Sequence, residues 1–248
     1  MKYSIITSTF NAEKLIARAA DSIFGQSYPN FEWLVQDGGS TDNTLAILEK
    51  YTDHRLKVES RSDSGIYSAW NRGIARSGGD WAIFIGADDF LLHTDTLVKC
   101  HRHIRRMDKD IQFAYAATVR LRGKEIVEIE NLSLYEVYLR FNHRLGFPMP
   151  STFVRMPLLK AYPFEEKKYK IAADVDFVAR FYTGKNIARI PVLAVGMEQG
   201  GASTTPANMC LVRDEMCRIL CERYYPRAEE IMLNVINHYH DRDKNLED

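Results

Sequence analysis

At 248 residues, with 46% hydrophobic and 27% charged side chains, the chain is long enough to bury a substantial core and has the composition of an ordinary globular protein. Lys plus Arg and Asp plus Glu number 33 each, so no net field recruits nucleic acid. The N-terminus lacks the apolar stretch of a secretion signal, no run is long enough to span a bilayer, and Cys100, Cys210, Cys217 and Cys221 include no C-x-x-C pair; a cytoplasmic protein with reduced thiols is the expectation.

In chain order, Tyr3–Ser8 reads as a first strand, left through the turn Thr9-Phe10-Asn11. Over Ala12–Ser27, Leu15, Ile16, Ala19, Ala20, Ile23 and Phe24 recur at helical spacing. Phe31–Gln36 is a second strand, followed by the sharp loop from Asp37 to Thr44, where Ser40, Thr41 and Asp42 are candidate N-caps for a helix ending at Tyr51. Leu56–Glu59 makes a short third strand, and a helix over Ile66–Arg76 opens at Asp63-Ser64-Gly65 and closes at Ser77-Gly78-Gly79. Trp81–Ile85 is five apolar residues, too few for a helix, so it reads as a buried strand; through Gly86-Ala87 it runs into Asp88-Asp89.

Strands alternating with helices predict a mostly parallel sheet with right-handed crossovers, which gathers the loops after the strands at one edge. Those loops carry Thr9, Asn11, Asp37, Asp63, Asp88 and Asp89. Two adjacent carboxylates at the carboxyl edge of such a sheet repel each other and call for a counter-charge, for which a divalent cation is the usual choice. A solvated acidic turn accounts for the same two residues equally well. The glycine-rich loop matches neither the dinucleotide fingerprint nor the ATPase phosphate loop.

Five spaced motifs carry a resemblance. Thr9-Phe10-Asn11, Gln26-Ser27-Tyr28 and the Asp37–Thr44 loop, then the stretch from Asp63 to Gly73, then Gly86-Ala87-Asp88-Asp89, resemble in order the opening of family 2 glycosyltransferases. The likeness is close over residues 3–90 and weaker to about residue 203. It implies a GT-A fold: a mixed, mostly parallel α/β sheet flanked by helices. It also implies that Asp89 holds Mg²⁺ or Mn²⁺ against a sugar-nucleotide pyrophosphate, with Asp88 beside it. Thr9, Asn11, Asp37 and Asp63 become candidates for nucleoside contacts. Asn71 and Arg72 fall in the donor-binding motif, Arg72 adding charge to the phosphates; Trp70 stands where the family usually has its basic residue.

Beyond residue 90, Thr96–Met107 reads as a basic helix bearing Lys99, Arg102, Arg105 and Arg106. Phe113–Val119 and Glu125–Ile129 read as strands, the second antiparallel, and Leu134–Leu145 as an amphipathic docked helix. The Phe147–Arg155 segment is similar to one in which the family commonly has His where Met149 stands. Tyr169–Phe177 resembles the segment supplying the family's catalytic base, which places that role on Asp174, with Asp176 two residues on and Ala173 where an acid usually precedes it; a structural N-cap is the competing role for Asp174. Ile190–Val195 is a last strand, and Gly196–Thr204 resembles the family's closing loop. Asn208–His240 reads as two helices broken at Pro226. The pairs His101/His103 and His238/His240 fall two residues apart, where helical side chains diverge, and read as surface residues.

These readings divide the chain into a GT-A domain over 1–205, with a nucleotide-sugar half (1–95) and an acceptor and base half (96–205), and a C-terminal helical segment over 206–248. By resemblance the protein is an inverting transferase that moves a sugar, from a UDP-sugar by prior, onto a hydroxyl of a bacterial surface glycan or lipid-linked glycan. Peripheral contact with the inner face of the cell membrane runs through basic helices such as Thr96–Met107, and the C-terminal helices pack on the core or form a homodimer. A nucleotidyltransferase and a non-catalytic sugar-nucleotide-binding module are the rival classes.

Overall fold

The computed structural model describes residues 1–140, 148–200 and 205–244. Its first half follows the alternation of the sequence: β1 (Tyr3–Thr9), α1 (Ile16–Phe24), β2 (Phe31–Asp37), α2 (Thr44–Leu48), β3 (Leu56–Ser60), α3 (Ile66–Arg76) and β4 (Trp81–Phe84). β1 pairs in parallel with β2 on one side and β4 on the other, and β2 pairs in parallel with β3. The chain therefore grows outward from β1 to β3 and then returns to lay β4 on the opposite flank. That reversal puts a crevice at the carboxyl ends of β1 and β4, the place where open α/β sheets take ligands.

The second half contains β5 (Phe90–Leu91), α4 (Thr96–Ile104), β6 (Phe113–Arg122), β7 (Glu125–Glu130), α5 (Leu134–Arg140), β8 (Thr152–Arg155), α6 (Met156–Ala161), α7 (Ala173–Phe181), β9 (Ile187–Glu198), α8 (Pro206–Ile219) and α9 (Ala228–Lys244). Sheet order runs β3-β2-β1-β4-β8-β6-β9-β5, with β7 on β6. β7 is antiparallel to β6 as expected, and β9 is parallel to it.

Two strands were not expected. β8 inserts antiparallel between β4 and β6, and β5 pairs with β9. Neither is legible locally, since four residues after Pro148 and Pro150, or two residues alone, carry too little periodicity to stand out. α1 begins at Ile16 rather than Ala12, because the residues before it are held by the neighbouring loop. Of the helix expected over Leu134–Leu145, α5 covers the part to Arg140; Phe141, His143, Arg144 and Leu145 lie outside the described residues, as do Phe147 and Gly201-Ala202-Ser203.

Strand side chains alternate between two cores. Tyr3, Ile5, Trp33, Val35, Trp81, Ile83 and Phe153 face α1 and α4, whose Ile16, Ala20, Ile23, Leu97, Cys100 and Ile104 cover them. Ile6, Leu34, Phe84, Phe113 and Val154 face the other way, under Tyr67, Trp70 and Ile74 of α3 and Phe177 and Val178 of α7. Phe164 touches Trp70, Phe84 and Phe177, with ring centroids 5.5, 5.4 and 5.2 Å away, and so joins α3, β4 and α7 in one aromatic cluster.

The C-terminal helices belong to that second core. Pro226 lies in a single tight turn, Tyr225–Arg227, after a π-helical turn, Leu220–Tyr224, which together bend the chain between α8 and α9. Ile219, Leu220, Tyr224 and Ile231 are buried in the same cluster as α7. Among the described residues no helix is long and apolar enough to cross a membrane. If the C-terminal helices are part of the folding unit, Ile219→Ala should destabilise the whole domain by about 2–5 kcal/mol, the range for emptying a buried aliphatic site. Urea unfolding followed by tryptophan fluorescence reads this, and an unchanged midpoint would mean that the helices merely rest on the core.

Candidate functional site

The loops after β1 and β2 are stitched together before any ligand arrives. Asn11 holds a positive φ of 48°, a conformation that Asn tolerates better than most residues. Its amide N–H donates to Ser40 Oγ at 2.8 Å, and its Oδ1 accepts the Thr41 N–H at 2.9 Å. Ala12 and Glu13 donate their N–H groups to Thr44 Oγ1 and Asp42 Oδ2. Asp37 lies fully buried beneath this turn. Its Oδ2 accepts the N–H groups of Gly39 and Ser40, each at 2.9 Å, and the Ser60 hydroxyl at 2.6 Å, while Oδ1 accepts the Ser40 hydroxyl. Burial alone pushes the Asp37 carboxyl up, but these hydroxyl and amide donors outweigh it and hold the group below its ordinary value. Of the expected nucleoside contacts, Asn11 and Asp37 thus spend these polar atoms within the loops.

Beside that turn opens a cavity of about 410 Å³, lined by Ser8, Thr9, Phe10, Gly38, Asp63 and Ile66 among others. This is within the size range of small-molecule sites. Gly38 lies between Phe10 and Asp63, and a Cβ there would stand in ordinary contact, 3.4 Å, with both. Thr9 is buried with its hydroxyl unpartnered, and Asp63 pairs with Arg72 at 3.0 Å. Phe10 is 62% exposed at the cavity wall, an aromatic face with no core role. No site role was assigned to it from sequence; the available signal was a large aromatic between two polar loop residues. Asn71 lies elsewhere: its side-chain amide donates to Phe164 O and Glu166 Oε2 and accepts the Phe164 N–H, fastening α3 to the loop before α7.

On the far side of β1, β4 delivers the acid pair. A Cβ on Gly86 would fall 2.6 Å from Asp88 Oδ1 and 2.8 Å from Asp89 Oδ2, so glycine is what lets both carboxylates fold back over the turn. Asp89 is 5% exposed and accepts the Gly86 N–H at 2.9 Å. Burial, and then the charge of Asp88, raise its carboxyl to about 7; Arg18 and Arg120 offset this in part. Arg18 donates to the Asp88 carbonyl at 2.7 Å and pairs with Glu198 at 3.2 Å, tying the acid turn to the end of β9. Two hard oxygen donors, one buried and costly to ionise alone, fit Mg²⁺ or Mn²⁺. Among the described residues no three His, Cys, Asp or Glu side chains converge, so remaining ligands would come from a substrate and from water. His101 accompanies the Tyr3 hydroxyl at 3.1 Å and His103 is exposed; the side chains of His238 and His240 lie outside the described residues.

The other candidate, Asp174, sits in the first turn of α7, on the core face shared with α3. The N-cap position is Ala172, so Asp174 is not the cap. Its Oδ1 accepts the Tyr67 hydroxyl at 2.7 Å and the Val175 N–H at 3.0 Å. Burial raises its carboxyl above the ordinary value in spite of these donors. Asp176, two residues on, is fully buried and bound on both oxygens, to Arg180 at 2.8 Å and to Arg223 at 3.2 Å. Its role in this structure is to lock α7 to the turn after α8. Glu215 of α8 accepts the N–H groups of Lys170, Ile171 and Ala172 just upstream. Neither Tyr67 nor Glu215 was assigned a role from sequence.

Residues 4–160 match the family described as glycosyl transferase family 2. Over 100 residues the chain is 40% identical to a PGL/p-HBAD biosynthesis glycosyltransferase of Mycobacterium bovis, covering 39% of each protein. Over 201 residues it is 30% identical to the poly(ribitol-phosphate) beta-N-acetylglucosaminyltransferase TarS of Staphylococcus aureus, covering 78% of this chain and 34% of that protein. The matches thus span only about a third to two fifths of these relatives. The crystal structure of TarS 1-349 in complex with UDP-GlcNAc superposes with a TM-score of 0.70 at 22% identity, over 97% of this chain and 73% of that one. A mannosyltransferase from Pyrobaculum calidifontis in complex with GDP-Man and Mn²⁺ gives 0.65 at 17% identity, over 94% and 68% of the two chains. The fold is that of GT-A structures.

The electrostatics of the acid pair are testable without a substrate. A carboxyl raised to about 7 in the folded state and near 3.8 when unfolded costs nothing below pH 4. Between pH 4 and 7 the unfolded chain ionises first, so stability falls by up to about 4 kcal/mol and stays lower above pH 7. Asp89→Asn should therefore raise the melting temperature of the metal-free protein at pH 8 and leave it unchanged at pH 3.5. It should also abolish any stabilisation by Mn²⁺ with UDP. A mutant no more stable than wild type at pH 8 would show that Asp89 is not held against its own charge.

Proposed function

Because the chain belongs to glycosyl transferase family 2, we propose that it transfers a sugar from a nucleoside-diphosphate donor to a hydroxyl of a surface glycan or lipid-linked glycan, with inversion at the anomeric carbon. UDP is the favoured nucleotide: the TarS fragment that matches over nearly the whole chain binds UDP-GlcNAc, although the archaeal neighbour binds GDP-Man. Membrane contact would be peripheral, by way of the exposed Arg102 of α4 and Arg105 and Arg106 in the turn after it. The exposed Met209, Met232, Leu233 and Ile236 supply an apolar face that a second copy could cover.

The observation that carries the reading is the contrast between Asp174 and Asp176. Both are acids of α7, Asp176 fully buried and Asp174 half-buried, but Asp176 is neutralised by two arginines and Asp174 by none among the described residues. An acid lifted above its ordinary value and left without a cation is suited to take a proton.

In the proposed arrangement the nucleoside lies in the cavity by β1, its base against the face of Phe10, with Thr9 and Asp63 offering polar contacts. Asn11 and Asp37 act by holding that wall in shape, and Asn71 by holding α3 to the loop that leads to Asp174. Asp89, with Asp88 beside it, is the site for Mg²⁺ or Mn²⁺, which when bound supplies Lewis-acid neutralisation of the leaving diphosphate. Arg72 is paired with Asp63, so its charge reaches the phosphates only as part of that pair. Asp174 takes the proton of the acceptor hydroxyl as its oxygen bonds to the anomeric carbon. The bond from that carbon to the diphosphate breaks in the same displacement, hence inversion. Alignment of the two substrates supplies much of the acceleration.

Two measurements test this reading. A panel of nucleotide sugars with Mn²⁺ should release a nucleoside diphosphate; release of pyrophosphate would identify a nucleotidyltransferase, and no release a binding module. With the donor so found, Asp174→Asn should lower turnover by roughly a hundredfold or more with little change in melting temperature or donor affinity. Asp176→Asn should do the reverse, costing about 3–5 kcal/mol of stability by leaving arginines uncompensated. A near-wild-type rate for Asp174→Asn would remove it from the chemistry.

A further inference from the structure

The first turn of α7 is built by a residue that lies outside the part of the chain matched to the family. α7 begins at Ala173, and none of its capping hydrogen bonds comes from its own N-cap side chain. The donors leading into it would be left unmet, a costly state for buried backbone. Glu215 meets three of them. Oε1 accepts the Lys170 N–H at 2.9 Å, and Oε2 accepts those of Ile171 and Ala172 at 3.0 Å each. Glu215 is 5% exposed and forms no ion pair among the described residues. An acid with no cationic partner is expensive to bury unless the hydrogen bonds it accepts are worth having.

What those bonds secure is Asp174, which begins two residues after the last amide that Glu215 holds. We propose that Glu215 is the positioning residue of the base: α8 reaches over to fix the turn on which Asp174 stands and to set the charge that Asp174 feels. Two physical effects run in the same direction. Free amides at a helix start carry partial positive charge and stabilise a nearby carboxylate, weakening it as a base. Glu215 occupies the N-cap amide of Ala172 and the two amides just upstream of it, and adds a negative charge of its own; both actions make Asp174 hold a proton more firmly. Burial is the larger influence on Asp174, with Glu215 adding to it and the Tyr67 hydroxyl opposing it.

Among the described residues, the groups facing Asp174 are Tyr67 from α3, Glu215 from α8 and the amides of its own turn. On the next turn Asp176, Arg180, Arg223 and Glu165 compensate one another, and Lys168 pairs with Glu222 at 2.8 Å. The Tyr67 hydroxyl is pushed far above its ordinary value by burial and by Asp174, so it stays a donor. Tyr67 and Glu215 therefore pull the base in opposite directions, which gives the test a sign.

The inference rests on Asp174 being the base, and the experiment separates the two. In the full chain with ¹³C-labelled aspartate, the Asp174 carboxyl is identified as the resonance lost in Asp174→Asn and titrated by NMR. Glu215→Gln should lower its midpoint by about one pH unit, and Tyr67→Phe should raise it. Glu215→Asp keeps the charge and should recover most of the wild-type midpoint; Glu215→Met, of similar length and uncharged, serves in place of Glu215→Gln if that variant does not fold. Binding of UDP with Mn²⁺, read by calorimetry, should be unchanged in all three. With the donor found by the panel, Glu215→Gln should lower kcat about tenfold at unchanged donor KM and move the acid limb of the kcat profile to lower pH. A midpoint that stays put, or shifts of the same sign in Glu215→Gln and Tyr67→Phe, overturns the role of Glu215. A moved midpoint with full turnover in Asp174→Asn upholds the clamp as a setting of that carboxyl's charge and instead overturns the assignment of the base.

Discussion

The constraint on which the site depends is the crowding of carboxylates at one end of the sheet. Asp37, Asp63, Asp88, Asp89 and Asp174 all follow strands or start a helix on that side, and each buried charge must be compensated or forced to hold a proton. Asp37 is compensated by four donors from its own loop and from β3. Asp63 is compensated by Arg72, and Asp176, just behind the site, by Arg180 and Arg223. Asp89 and Asp174 form no ion pair among the described residues, and both are raised above their ordinary values. These are the two acids to which the proposed transfer gives a cation and a proton.

The scaffold makes this tolerable by dividing the work between elements. β1 and β4 flank the reversal in strand order, so the cavity follows the carboxyl end of β1 and the acid turn that of its neighbour β4. The aromatic cluster of Trp70, Phe84 and Phe164 sets α3 against the sheet, and Asn71 then fixes the loop that approaches α7. Tyr67 on that same helix touches Asp174. Asp174 and the loop before α7 are thus tied to the sheet through α3 by a short path of packed and hydrogen-bonded groups.

The C-terminal helices enter the same logic. Their apolar residues share a core with α7, and two of their polar residues, Glu215 and Arg223, meet α7 at its start and one turn in. The family match ends at residue 160, so α7 and the helices that fix it lie together beyond the matched region.

Much of this was legible in the sequence, and the reason is locality. Strands β1 to β4, the helices between them and the glycine punctuation follow from periodicity and turn chemistry within a few residues. The order of spaced motifs identified the family, and the GT-A sheet came with it. Resemblance alone placed the metal on Asp89 and the base on Asp174, but not what sets them apart physically from Asp37, Asp63 and Asp176, because an acid's behaviour is set by what neutralises it. Those partners lie far along the chain: Ser60 for Asp37, Arg223 for Asp176, Tyr67 for Asp174. The strand β8 and the Glu215 clamp were hidden for the same reason. Four residues between two sheet neighbours, and one acid on an amphipathic helix, acquire meaning only from the surfaces that folding brings against them.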